Sequence, residues 1–143
     1  MKHLPVLFRD RPRPLQVLLG GISPALLGTL AGVLVGVSAG GYWAVSAVAG
    51  IGGFLAGFEH RDGWGGADRG LVGGAIYSTT LVLVHWAIGN DAKVSLGNSR
   101  VIFVVSLTII GILLGAAGGR VARFIRERNG VFITDEHLAK SSD

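Results

Sequence analysis

The sequence predicts an all-α, polytopic membrane protein with four transmembrane helices, glycine-rich helix packing and both termini in the cytoplasm. Three observations carry this. Half of the 143 residues are apolar and only 15% are charged, against about 25% in soluble domains; mean hydropathy is +0.55. Three runs free of Asp, Glu, Lys and Arg cover residues 14–58, 70–90 and 101–119, with lengths of 45, 21 and 19. Small residues recur every fourth position in each of them.

The first element is a basic arm, residues 1–15, holding Lys2, Arg9, Arg11 and Arg13, with Pro12 and Pro14 delaying the first helix. A spanning helix needs about 20 residues, so the 45-residue run is too long for one span and fits two. The break is expected at Ser38-Ala39-Gly40-Gly41, where two glycines make a turn and Tyr42-Trp43 forms an interfacial pair. The helices are therefore expected at about 16–38, 42–58, 70–89 and 101–119. Together they make a transmembrane domain over 16–119, followed by a juxtamembrane segment and tail over 120–143.

Basic residues set the orientation. The arm, the second loop (Arg61, Arg69) and the tail (Arg120, Arg123, Arg126, Arg128, Lys140) hold eleven of them; the third loop holds two, Lys93 and Arg100, and the first turn none. The positive-inside rule then places both termini in the cytoplasm, as an even number of spans requires. The expected location is the inner or plasma membrane. A cleaved signal peptide competes for residues 1–39, but the apolar stretch exceeds the usual core of about 7–15 residues.

Interior glycines cost a helix in water roughly 1 kcal/mol each relative to Ala. In a bilayer the backbone has no water to turn to, and a glycine face becomes a packing groove. The expected packing residues are Gly28, Gly32 and Gly36 in the first helix, with Gly40 assigned to the turn. The second helix supplies Ala49, Gly53 and Gly57; the third, Gly70, Gly74 and Ser78, preceded by Gly66; the fourth, Gly111, Gly115 and Gly119. Such faces suit a homo-oligomer or a larger membrane complex as well as a bundle of one chain. The two helical hairpins resemble each other at these glycines, but the likeness does not extend to other positions.

Ionisable groups at membrane depth are functional candidates. His85 returns to the Gly74/Ser78 side of its helix and, with an imidazole that titrates near neutral pH, is a candidate pathway or protonation residue. Tyr77 is the second, and Ser78, Thr79 and Thr80 add hydroxyls that can also bond back to their own helix. Pro24 removes one backbone hydrogen bond and is either a hinge or a tolerated tilt. The loop with Glu59, His60, Arg61, Asp62, Trp64, Asp68 and Arg69 reads as a solvated, ion-paired segment anchored by Trp64.

No metal site or cofactor is expected: the spacing of the acids and His matches no tight metal site, the loop glycines precede no Gly-Lys-Ser/Thr, and Cys is absent. No catalytic set stands at membrane depth, so an enzyme is not expected. The basic residues flank apolar spans, which points to lipid and not to nucleic acid. Arg9, Arg11, Arg13, Arg120, Arg123, Arg126 and Arg128 are the expected contacts to anionic lipid head groups. Residues 120–128 should continue the fourth helix as an amphipathic segment with Val121, Phe124 and Ile125 on one face. Asn129-Gly130 should stop it. Thr134, with Asp135 and Glu136 after it, should cap a last short helix ahead of a frayed end.

These features lead to the expectation of a small oligomeric channel or transporter for an ion or small solute. The alternatives are a non-catalytic accessory or scaffold subunit of a larger membrane complex, and a holin-like pore former.

Overall fold

The computed structural model of the chain describes residues 7–128, apart from the side chain of Arg9. The expected helix stop at Asn129-Gly130 and the cap at Thr134 lie outside the described residues. Within them the structure is all-helical, and four helices are long and apolar enough to cross a membrane. They are α1 (Arg13–Val37), α2 (Ala39–Gly57), α3 (Gly63–Ile88) and α4 (Arg100–Arg128). One tight turn, Phe8–Asp10, precedes them.

The ends differ from the expected ones for local reasons. α1 starts three residues earlier, because Pro14 suits the first turn of a helix. The break between α1 and α2 is a single extended residue, Ser38 (φ −153°, ψ 114°), and not a turn of two glycines. Its N–H donates to Leu34 O at 2.9 Å and its Oγ accepts from Gly41 N at 3.1 Å. One residue thus closes one helix and caps the next, and Gly40 and Gly41 fall inside α2. α3 starts at Gly63, seven residues before the uncharged run, because the Asp62 carboxylate accepts from Gly65 N at 2.8 Å. Asp68 and Arg69, expected in the loop, are therefore helical. α4 runs unbroken to Arg128, as its sequence suggested.

Helix ends are closed by specific groups. Gly89, at φ +69°, takes the left-handed position after α3 and donates to His85 O at 3.2 Å. Lys93 closes α1 from the following loop: its N–H donates to Val35 O at 2.8 Å and its Nζ to Val37 O at 2.9 Å. Arg126 closes the end of α2, donating to Phe58 O at 2.9 Å and His60 O at 2.6 Å. A cation on terminal carbonyls satisfies orphan acceptors and complements the helix dipole.

The bundle has α3 at its centre of contact, touching the other three helices, with its most extensive pairing to α4. α3 and α4 run antiparallel: Gly66, Gly70 and Gly74 of α3 meet Gly115, Gly111 and Thr108 of α4 in that order. α1 runs parallel to α3, and α2 parallel to α4. At Gly66, Gly70, Gly111 and Gly115 a Cβ would strike backbone of the opposite helix. At Gly118 it would strike Phe54 O of α2, and at Gly119 Asp62 O in the loop.

The buried hydrophobic set among the described residues is small: Ala31, Val35, Tyr42, Tyr77, Leu81 and Ala122. Large apolar side chains point outward all around, Trp43, Ile51, Val101 and Leu113 among them. Water-soluble monomers rarely expose contiguous apolar patches beyond a few hundred Å². A surface of this kind, on helices of this length, is what a bilayer covers.

Candidate functional site

A cavity with a volume of about 360 Å³ is walled by all four helices. Its size falls in the range of small-molecule sites, about 300–1,000 Å³. Its wall is mostly apolar, with seven glycines and a few polar groups: Ser23, Ser46, Glu59, Arg69 and Tyr77. Missing side chains make the room. A Cβ on Gly52 or Gly53 would meet nothing within 4 Å, and one on Gly73 would meet only Arg69 Nη1, at 3.8 Å.

One end of the cavity is charged. Arg69 stands two turns into α3 and reaches across to α1, where its guanidinium donates to Leu19 O and Gly20 O, the second at 3.2 Å. The α1 sequence explains why those carbonyls are free. Residues Leu18–Ile22 form a wide π turn, in which Ser23 N–H donates to Leu18 O. Leu19 O thereby loses its usual donor, four residues on. Pro24 has no N–H for Gly20 four residues back, nor for Leu19 five residues back. Arg69 supplies both missing donors with one planar fork. Pro24 is thus neither a bare hinge nor a simple tilt; it frees acceptors that the half-buried Arg69 takes up.

The N-terminal turn covers this end. The Phe8 ring lies 5.1 Å from the Arg69 guanidinium carbon and 5.8 Å from the His60 ring, and Phe8 N donates to Glu59 O at 3.0 Å. Arg11 pairs with Glu59 at 2.6 Å, and both side chains are largely buried. Arg69 forms no ion pair among the described residues.

About 12 Å further along α3, Tyr77 lines the other end of the cavity. Its hydroxyl lies 3.0 Å from Ser46 Oγ, joining α3 to α2. Ser78 faces the other way, fully buried, and donates to Gly74 O at 2.7 Å. Thr108 donates likewise to Val104 O at 2.8 Å, so both hydroxyls satisfy their own helices.

The structure sorts the residues singled out in the sequence. Tyr77 is at the cavity; His85 is about two turns beyond it, half-buried, with no hydrogen-bond partner for Nδ1 among the described residues and no part in the cavity wall. Gly28 and Gly32 lie against the Tyr77 and Leu81 carbonyls, and Gly36 against the Asn90 amide. Gly57 lies against Gly115 O, whereas Ala49 and Gly53 face the cavity. Most of the glycine faces are thus occupied within one chain. Of the arginines, Arg13, Arg120, Arg123 and Arg128 are exposed and Arg11 is paired with Glu59. Arg126 is only 6% exposed and holds carbonyls, so it is no lipid contact. Glu59 and Arg69, read from sequence as parts of a solvated loop, are the charged groups of the cavity. The signal for Arg69 was present in the sequence, as Pro24 four residues after Gly20.

Among the described residues no group of three or more His, Asp or Glu is placed to hold a metal ion. The chain matches no protein-family model, no curated protein and no solved structure.

Proposed function

We propose that the protein is a small integral membrane transport protein whose intramembrane cavity is the solute site. The observation that carries this is the cavity itself, polar at Arg69 and at Tyr77 and lined with glycine between them. Glycine walls keep it open while glycine contacts elsewhere hold the helices together. Four helices are long and apolar enough to cross the bilayer, and the distribution of basic residues supports an orientation with the described ends and the 58–62 turn on the cytoplasmic side. α3, at 26 residues, is about 39 Å long and exceeds a hydrocarbon core of about 30 Å. With the surplus taken before Gly70, where the charges are, this reading has Arg69 at the cytoplasmic boundary and Tyr77 in the apolar interior.

Exposed arginines at that boundary, Arg13, Arg120, Arg123 and Arg128, are the contacts to anionic head groups. The site lies within one chain and requires no second copy. A homo-oligomer would assemble through outer apolar faces instead of the glycine faces.

The test is solute flux in proteoliposomes, followed by light scattering with a panel of small neutral and charged solutes. At least one should pass faster than in empty vesicles. Gly53→Leu fills the cavity from a position with no neighbour within 4 Å, and should reduce that flux by about tenfold or more. Absence of any flux above the empty-vesicle rate would remove the transport proposal. Flux unchanged by Gly53→Leu would place the path elsewhere.

A further inference from the structure

The charged end of the cavity is incompletely satisfied. Arg11 and Arg69 bring two positive charges to one carboxylate, Glu59, and Glu59 pairs with Arg11. Arg69 shares that carboxylate only at longer range, and its own hydrogen bonds go to carbonyl dipoles beside an aromatic face. Its Nε–H, and that of Arg11, are buried and have no hydrogen-bond partner among the described residues. A half-buried charge with no ion pair of its own is costly, as is a buried donor without an acceptor. Directly beside this deficit lies an apolar space walled by Leu27, Gly53, Leu107 and Leu114.

Resting on the cavity as the solute site, we infer that it binds an amphiphile with one anionic head and an apolar chain. The head, a carboxylate or phosphate, accepts from Arg69 at the boundary and supplies the missing negative charge. The chain follows the glycine-lined wall toward Tyr77. Neutral and cationic amphiphiles of equal length fit the same space but leave the arginine uncompensated. Glu59 adds repulsion against a second negative charge and favours a singly charged head. A free acid and a membrane lipid both carry this chemistry.

Direct binding to the full chain in zwitterionic nanodiscs tests it, with empty nanodiscs subtracted. Octanoate and methyl octyl phosphate, a singly charged diester, should bind at least about tenfold more tightly than octanol and octylammonium, the size expected of one charge-assisted hydrogen bond. Arg69→Gln should erase that preference, Arg69→Lys should keep part of it, and Gly53→Leu should weaken all four probes. Equal affinity of octanoate and octanol for the unaltered protein would overturn the inference, with no variant needed. Repeating the octanoate titration in nanodiscs with an anionic phospholipid separates the two sources. Lost binding marks the lipid head group as occupant and retained binding marks the free acid; either supports the head-and-chain chemistry. Selective anion binding without flux would remove transport and keep this site. Flux with no anion preference in binding would do the reverse.

Discussion

Gly115→Ala is expected to destabilise the folded chain by about 2–3 kcal/mol, and Gly115→Leu to prevent its recovery in folded form. The added Cβ would collide with Gly66 O and stand 3.0 Å from Gly66 C and 3.1 Å from Gly70 Cα. All three atoms are backbone, so no side chain can swing aside, and α3 and α4 must separate along their longest contact. The intrinsic helix preference for Ala over Gly works in the opposite direction, by at most about 1 kcal/mol, and does not offset the collision. Gly53→Ala is the control. It gains the same preference and meets nothing within 4 Å, so it should be neutral or slightly stabilising. Denaturation in mixed micelles, followed by helicity, measures both. Equal effects at the two positions would show that close backbone approach does not hold α3 to α4.

Arg69→Met is expected to cost about 2–4 kcal/mol, through the loss of two charge-assisted hydrogen bonds and the stranding of two carbonyls. The same substitution in a Pro24→Ala background should cost about 1–2 kcal/mol less, a coupling of the size seen between groups that share a network. Alanine restores an N–H at position 24. Gly20 O then has a donor of its own helix, and the wide turn at Leu18–Ile22 has less reason to form. The sign is the informative part. If the two substitutions add, the arginine is not there to serve carbonyls left free by the proline.

Four helices were legible because lipid requires length and apolarity and little else, and both are read directly from the chain. The boundaries were less so. Gly40-Gly41 looked like a turn, but in a bilayer glycine is as useful inside a helix as outside one. The stop was made instead by Ser38, whose extended backbone and hydroxyl serve both neighbours. Asp68 and Arg69 looked like loop because charge is costly in lipid. α3 nevertheless contains both, with Arg69 turned inward onto α1 and Asp62 fixing the start nearly two turns before them.

The basic residues illustrate the same ambiguity. Their positions gave an orientation by count, yet Lys93, Arg126 and Arg69 each hold specific backbone carbonyls. A composition rule does not distinguish a cation that meets lipid from one that closes a helix. The cavity was not legible at all. Its wall comes from four helices, and its volume depends on which glycines face a neighbour and which face a gap. Gly57 and Gly53 stand one turn apart on α2; a Cβ on the first strikes α4 and one on the second strikes nothing.

The central claim is that the cavity lies on a path through a bilayer. Because the chain has no Cys, a single Cys at position 53 reports on it directly in closed vesicles of known orientation. Reference Cys variants at Arg61 and Ser95 mark the two surfaces, and a small membrane-impermeant thiol reagent is added from either side. The account predicts that Arg61→Cys reacts only from the cytoplasmic side and Ser95→Cys only from the outer side, while Gly53→Cys reacts from both in turn. Reaction of the two reference sites as predicted, with Gly53→Cys silent from both sides, would contradict it.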